Sequence, residues 1–375
     1  MDHAGIEDQF KIKLLKILTP LFRKKPVQSL LGRSFSSILV VRQHDQLGDM
    51  ICLSPLLSAL RKRFPASRIV LVTSPVNHDI MLHHPSVDEV VAYQKKVFWK
   101  NPLAFFSFVR KLRKNRFDLA VVPVTVSLSV TSDLIARFSG ATYIVGASSL
   151  NGLANPAAAF HSIGIDLKWE VTSHVHQTLR NLQVLRPLDI GEASLSCTLG
   201  LTQEERRLAR EFVRPMKERF DLLVGLHPGA GKPPNRWHDS HFAEVANRLF
   251  SEHHAGIFIT AGPMDDIPFE NMLARVRCPN GVVRNKPIRH VAAILNELDL
   301  FITNDTGLLH IAGAVSTQVL ALFGPTDPLQ WAPVGKKNRF IQSKDGDINS
   351  ITEEQVNTTL DLMVVEILDS RNFPR

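Results

Sequence analysis

Three short stretches carry side chains whose types and spacing suit group transfer between bound molecules. The first is Gly48-Asp49. A carboxylate just past the end of a strand fits a general base that takes the proton of an acceptor hydroxyl. An ordinary helix N-cap fits the same residues. The second is His227-Pro-Gly-Ala-Gly231, followed by Lys232, Asn235, Arg236 and Trp237. Small residues such as Gly229 let backbone approach a ligand, and the cations neutralise phosphate; a surface turn is the plain alternative. The third runs from Phe301 to Val315. Here a strand turns at Asn304-Asp305 into a helix opened by Thr306 and Gly307. Free N–H groups and the positive dipole end make such a start an anion site. His310 lies one turn further in, on the face that carries Thr306. The strand Val319-Leu-Ala-Leu-Phe323 follows and closes at Gly324-Pro-Thr326. The unit suits a nucleotide diphosphate, and its competing account is an Asp cap on a buried helix.

Each stretch needs a parallel strand to place it. Ser37–Arg42 is an apolar, β-branched run, and a polar loop (Gln43–Asp49) and a helix over Met50–Phe64 come after it. Strands at Arg68–Thr73, Val87–Ala92, Asp118–Val122 and Thr142–Val145 alternate with helices, one of them Pro102–Asn115. The alternation resumes with strands at Leu222–Leu226, Gly256–Thr260, Gly281–Arg284, Leu300–Thr303 and Gln318–Phe323. Alternating strands and helices predict parallel sheets, hence an α/β protein of two doubly wound domains. Ligands of such sheets bind at strand carboxyl ends. The expected division is 1–35 as a basic amphipathic extension, 36–175 and 201–349 as the domains, 176–200 as a connector with Pro187 and Gly191, and 350–375 as a last helix. Thr202-Gln-Glu-Glu205 reads as a capping box, and Ser350-Ile-Thr-Glu353 as the cap of the last helix.

The bulk properties narrow the class. The chain has 375 residues, 44% hydrophobic and 21% charged, enough for two cores. Cys52, Cys197 and Cys278 are odd in number and scattered, which fits a reducing compartment without a disulfide framework. There is no zinc spacing, signal peptide or apolar run of membrane length. No Gly-x-Gly-x-x-Gly follows a first strand and no Walker loop occurs, which argues against nicotinamide binding and ordinary nucleotide hydrolysis. Asp345-Gly-Asp347 reads as a turn, not a metal pair. The net charge of +8 favours an anionic partner. Phe10, Leu14, Ile17, Leu18 and Leu21 recur at helical spacing among Lys11, Lys13, Lys16, Arg23, Lys24 and Lys25, a pattern of membrane-surface helices. A helix packed on the domain, or a mobile tail, is the alternative. A second basic run holds Lys95, Lys96, Lys100, Arg110, Lys111, Arg113, Lys114 and Arg116.

The ordered motifs resemble the heptosyltransferases, glycosyltransferase family nine. The match runs through Ile38-Leu-Val-Val-Arg42, Leu47-Gly-Asp-Met50, Ser54-Pro-Leu-Leu57, Ala59-Leu-Arg61 and Phe64-Pro65. It continues through His227-Pro-Gly-Ala230, Arg236-Trp237, Phe242-Ala243, Ala261-Gly-Pro263, Asn304-Asp-Thr-Gly-Leu-Leu-His-Ile-Ala312 and Leu322-Phe-Gly-Pro-Thr326. It covers roughly residues 36–368. The resemblance implies a GT-B fold, two Rossmann-like domains facing each other across a cleft. It also implies inverting, metal-independent transfer of a sugar, usually heptose from ADP-heptose, to a lipopolysaccharide core or related glycan. Asp49 then matches the catalytic base. Asp305, Thr306, Gly307, Leu308 and His310 match the donor-diphosphate segment, with His227, Gly229, Lys232 and Arg236 beside them, and Asp265 or Asp266 is the candidate for the ribose. Gly48, Arg110, Lys111 and Lys114 are expected to meet an anionic glycolipid or oligosaccharide acceptor.

The family commonly carries Lys two residues before the motif Trp, where this chain has Asn235; Arg236 and Lys232 are the nearby cations. The expected partners are a nucleotide sugar and the acceptor, with no metal, no nucleic acid, a monomeric state and a place at the cytoplasmic face of the inner membrane. A GT-B enzyme with another donor, a sugar-nucleotide epimerase and a non-catalytic sugar-nucleotide binder are the other readings. A nucleic-acid binder would explain the charge but not the paired domains.

Overall fold

A computed structural model describes residues 15, 17–124, 126–169, 174–190 and 193–372. Phe10, Lys11, Lys13, Leu14, Lys16 and Gly191 lie outside those residues. The chain divides into two compact units between Leu195 and Ser196.

In the first unit a helix over 17–22 (α1) precedes β1 (Ser37–Arg42), α2 (Leu47–Ile51), α3 (Ser54–Arg63), β2 (Arg68–Thr73) and α4 (Pro75–Met81). Then come β3 (Glu89–Ala92), α5 (Lys95–Lys100), α6 (Pro102–Lys114), β4 (Leu119–Val121) and α7 (Val130–Phe138), followed by β5 (Tyr143–Leu150), β6 (Leu153–Ala154), β7 (Ile163–Leu167) and α8 (Gln177–Gln183). The sheet order is β3-β2-β1-β4-β5-β6, with β7 also on β5. Its pairings are parallel except β5 with β6. Every residue of β1 is buried, as a central parallel strand covered on both faces requires.

The second unit begins with α9 (Gln203–Lys217), β8 (Leu222–His227), α10 (Asp239–His253), β9 (Ala255–Ala261) and α11 (Asp266–Leu273). It continues with β10 (Asn280–Arg284), α12 (Ile288–Asn296), β11 (Leu300–Asn304), α13 (Gly307–Gly313), β12 (Gln318–Phe323), α14 (Pro328–Trp331), β13 (Arg339–Gln342) and α15 (Glu353–Asn372). Its sheet, β10-β9-β8-β11-β12-β13, is wholly parallel. Both orders reverse direction beside their first strand, between β1 and β4 and between β8 and β11. That reversal is the switch point of a doubly wound sheet. The Thr202/Glu205 capping box forms as expected, and Arg289 clamps Glu205 from α12.

Four local expectations change. The helix over Met50–Phe64 is two helices, α2 and α3. Pro55 has no N–H to give the Ile51 carbonyl and its ring crowds it, so the chain must restart. Asp49 therefore lies in the first turn of α2, not at an N-cap. The edge strands β6, β7 and β13 go unseen in the sequence because they are short, and β7 and β13 alternate in exposure. The last helix is capped two residues later than expected, by Thr352 and Gln355 in reciprocal bonds. At the amino end, Leu15, Leu18 and Phe22 pack against Ala157, Phe160, Val130 and Leu134. Among the described residues, no helix is long and apolar enough to cross a membrane.

Candidate functional site

In the first unit the switch point is built by Arg42, the last residue of β1, and Asp49. Both are nearly closed to solvent, at 2% and 4% exposure. Arg42 Nη2 stands 3.5 Å from Asp49 Oδ2. Burial pulls the guanidinium below the usual arginine range, and the Asp49 carboxylate opposes that pull. Asp49 Oδ1 is buried and accepts no hydrogen bond. A buried acceptor left unused costs free energy, a state that Asp49 Oδ1 shares with other buried atoms such as Ser37 Oγ and Asn77 Oδ1.

Past β1 the loop Gln43–Gln46 borders a cavity of about 500 Å³, closed on other sides by Ser74, Pro75, Val76, Tyr93, Gln94, Lys95 and Lys96. These residues follow the carboxyl ends of β1, β2 and β3. Asn77 Nδ2 pins the loop through the carbonyls of His44 and Gln46. Burial, then the nearby Arg42 charge, push His44 down to about 4, so it is neutral at pH 7. Gly48 lies in the first turn of α2 with Asp49. The remaining basic candidates lie elsewhere. Arg110, Lys111 and Lys114 are exposed on α6, and Lys111 pairs with Glu89 at the amino end of β3. Lys95 and Lys96 border the strand-end cavity.

His84 follows α4 and is buried. It accepts from Ser86 N, so its proton sits on Nε2 and is donated to Ser54 Oγ, 2.9 Å away. Burial pushes it to about 4. His44 and His84 thus take up protons readily only when unfolded, whose imidazoles titrate near 6.5. Between about pH 6.5 and 4 the unfolded state binds more protons, so stability is full above that window and falls through it on acidification. Denaturant midpoints at pH 7 and pH 5 should show the fall, and His84→Gln should shrink the difference.

In the second unit β8 ends at His227 and β11 at Asn304, side by side. Asn304 is fully buried and makes three bonds. Its Nδ2 donates to the carbonyls of Pro228 and Gly229, and its Oδ1 accepts from Trp237 N. One side chain therefore fixes the His227–Gly231 turn, the Trp237 approach and the start of α13. Asn235 Nδ2 donates to Asp305 Oδ2 and Thr326 Oγ1. Burial raises Asp305 above the ordinary carboxylate range, against the Thr326 hydroxyl and the Lys232 charge. Asp305 thus does not cap α13. Thr306 holds the cap position, and its hydroxyl makes no capping bond. Gly307 and Leu308 open the helix, while His310 is buried behind it with its ring edge-on to Trp331.

Asp265 lies over Gly229: a β-carbon there would sit 2.1 Å from its Oδ1. Its Oδ2 accepts from Gly262 N and is 3.7 Å from His227 Nε2. Burial pushes buried His227 below the usual histidine range, with Asp265 pulling the other way. Asp266 is paired with Arg284. Of the two cations near Asn235, Arg236 donates from Nη2 to the Ala230 carbonyl while its buried Nε makes no hydrogen bond; Lys232 is exposed. Among the described residues, no group of three or more His, Cys, Asp or Glu is arranged to hold a metal. Sequence reasoning passed over Arg42, Asn304 and Thr326 as candidates. The one signal for Asn304 was an amide ending an otherwise apolar strand.

A family model for glycosyltransferase family 9 (heptosyltransferase) matches residues 105–360. The chain is 24% identical over 313 residues to a lipopolysaccharide heptosyltransferase 3 of Escherichia coli, covering 80% of this chain and 86% of that one. In fold it is similar to a family 9 glycosyltransferase from Veillonella parvula, at TM-score 0.77 and 23% identity over 89% and 99% of the two chains. It is also similar to E. coli ADP-heptose lps heptosyltransferase II, at TM-score 0.72 and 20% identity over 88% and 98%. Two doubly wound domains with polar clusters at their switch points are the framework of a GT-B glycosyltransferase, and this protein is an enzyme of that class. Within the class, the chain belongs to glycosyltransferase family 9, the heptosyltransferases.

Proposed function

We propose that the enzyme moves a heptose from ADP-heptose to a lipopolysaccharide core or related glycan, with inversion and without a metal. The observation that carries the reading is the family match, which runs through both units. The E. coli relative named for ADP-heptose supports the donor. The acceptor occupies the cavity bordered by Lys95 and Lys96, and its anionic groups meet those lysines. Asp49 takes the acceptor hydroxyl proton. The acceptor oxygen bonds to the anomeric carbon as the bond to the diphosphate oxygen breaks. Charge developing on the departing diphosphate is met by Lys232 and by the backbone N–H groups around Thr306 and Gly307. Asp305, held by Asn235 and Thr326, fixes that segment. In this assignment Lys232, not Arg236, replaces the lysine the family carries at Asn235.

The test is a panel of nucleotide sugars, ADP-heptose among them, with a heptose-deficient core acceptor, read by mass spectrometry. One added heptose, only with ADP-heptose, is the expected result. Another sugar added instead replaces the donor assignment, and donor conversion without any acceptor replaces transfer with epimerase chemistry. Lys232→Ala should raise the donor KM roughly tenfold, the scale of a charge-assisted contact, with the fold unchanged. Unchanged donor KM would return the role to Arg236.

A further inference from the structure

The stretch from Tyr93 to Phe117 holds eight cations (Lys95, Lys96, Lys100, Arg110, Lys111, Arg113, Lys114, Arg116) and no Asp or Glu. It folds as α5 and α6. The inner face of α6 buries Phe108 and Leu112 in the first unit's core. Its outer face leaves Leu103 78% and Phe106 66% exposed. Leu103, Phe106, Arg110 and Lys114 are spaced by three and four residues, so they share one stripe of the helix. Large apolar side chains in water on one stripe with Arg110 and Lys114 add nothing to the core of this unit. They suit a surface that is apolar inside and anionic outside.

A second element shows the same division. Leu18 and Phe22 of α1 pack inward together with Leu15, while α1 leaves Ile17 67% and Leu21 72% exposed. The two elements are joined. Phe138, at the end of α7, meets Phe22 of α1 edge-on at 5.5 Å and Phe105 of α6 at 6.2 Å. Arg137 Nε donates to the Phe22 carbonyl and Arg113 Nε to that of Phe138. Lys24 Nζ fastens the segment after α1 to the carbonyls of Ala141 and Thr142. The exposed apolar residues of α1 and α6 therefore stand on one rigid scaffold, not on a free tail and a separate helix.

We propose that α1 and α6 together form a docking surface for an anionic phospholipid bilayer, with Leu103, Phe106, Ile17 and Leu21 entering the headgroup boundary and the α5–α6 cations meeting the phosphates. Juxtaposed cations are attracted to such a leaflet over about a Debye length, and apolar side chains add salt-insensitive burial. The same helix hairpin begins at Lys95 and Lys96, on the rim of the acceptor cavity. Docking would hold that cavity against the plane from which a lipid-borne acceptor projects.

The experiment is co-sedimentation of the full chain with vesicles of phosphatidylglycerol and phosphatidylethanolamine, and with phosphatidylcholine alone, at low salt and at about 0.5 M salt. Binding should require the anionic lipid and weaken, without vanishing, at high salt. Leu103→Ser with Phe106→Ser, and separately Ile17→Ser with Leu21→Ser, should each cut partitioning roughly tenfold or more. Melting temperature and turnover on a deacylated, water-soluble acceptor should stay at wild-type values, since these four residues lie outside the catalytic and binding groups. Failure of the wild type on that soluble acceptor would count against the proposed reaction and leave the vesicle result standing. Wild-type partitioning by the Leu103/Phe106 variant overturns the proposal, as does equal binding to phosphatidylcholine. So does a wild-type dimer in solution that the same substitutions dissociate, because the face would then belong to a second copy. Binding to an oligonucleotide in preference to vesicles overturns it as well.

Discussion

Asp49→Asn should lower kcat by about 10²–10⁴-fold, the span expected when a general base is removed, while affinity for the nucleotide-sugar donor by calorimetry changes little. The substitution keeps the shape of the side chain and removes only its charge and basicity. It also leaves the Arg42 guanidinium, 2% exposed and 3.5 Å away, without its counter-ion. Breaking a buried pair from one side is strongly destabilising, by about 3–5 kcal/mol where geometry is tight. Turnover must therefore be normalised to folded protein. A folded Asp49→Asn enzyme that turns over like the wild type would take Asp49 out of the mechanism.

Asn304→Asp is the second large effect. The amide nitrogen donates to two carbonyls, those of Pro228 and Gly229. A carboxylate oxygen in its place would face both of them lone pair to lone pair, inside a fully buried site. Two lost bonds and a buried, unpaired charge predict a destabilisation of at least about 2–4 kcal/mol. The Trp237 N–H bond to the other oxygen survives, so the second unit should still fold at low temperature with its His227–Gly231 turn released. Donor affinity should drop more than tenfold under those conditions. A variant with native melting and native donor affinity would mean that the clamp is dispensable.

Much of this architecture was legible before any coordinates, because parallel strands are continuous apolar runs and their carboxyl ends are marked by small and polar residues. The five strands assigned to the second unit all appear within a residue or two of their bounds. What escaped had identifiable causes. Pro55 sits inside an apolar helical pattern that its missing N–H forces to restart. β7 and β13 are edge strands, half exposed, with no apolar run to find. The polar web around Asn235 joins it to Asp305 and Thr326, 70 and 91 residues away. No local pattern encodes a contact at that separation, although its meaning is plain once the strands are laid side by side. The exposed face of α6 was visible as composition. Only packing revealed which phenylalanines turn inward and that Phe106 does not.

Two glycines of one short motif face opposite histories. Gly229 cannot acquire any side chain without expelling the Asp265 carboxylate, and every single-nucleotide change to its codon that alters the residue adds at least a β-carbon or ends the chain. Gly231, two positions on, has nothing within 4 Å of where its β-carbon would lie. Drift through this turn is thus channelled. The first glycine is held by its own neighbour's geometry, while the second is free to wander and to give descendants a side chain beside Lys232. A side chain is admitted at 231 without rearrangement and at 229 only if the Asp265 carboxylate moves.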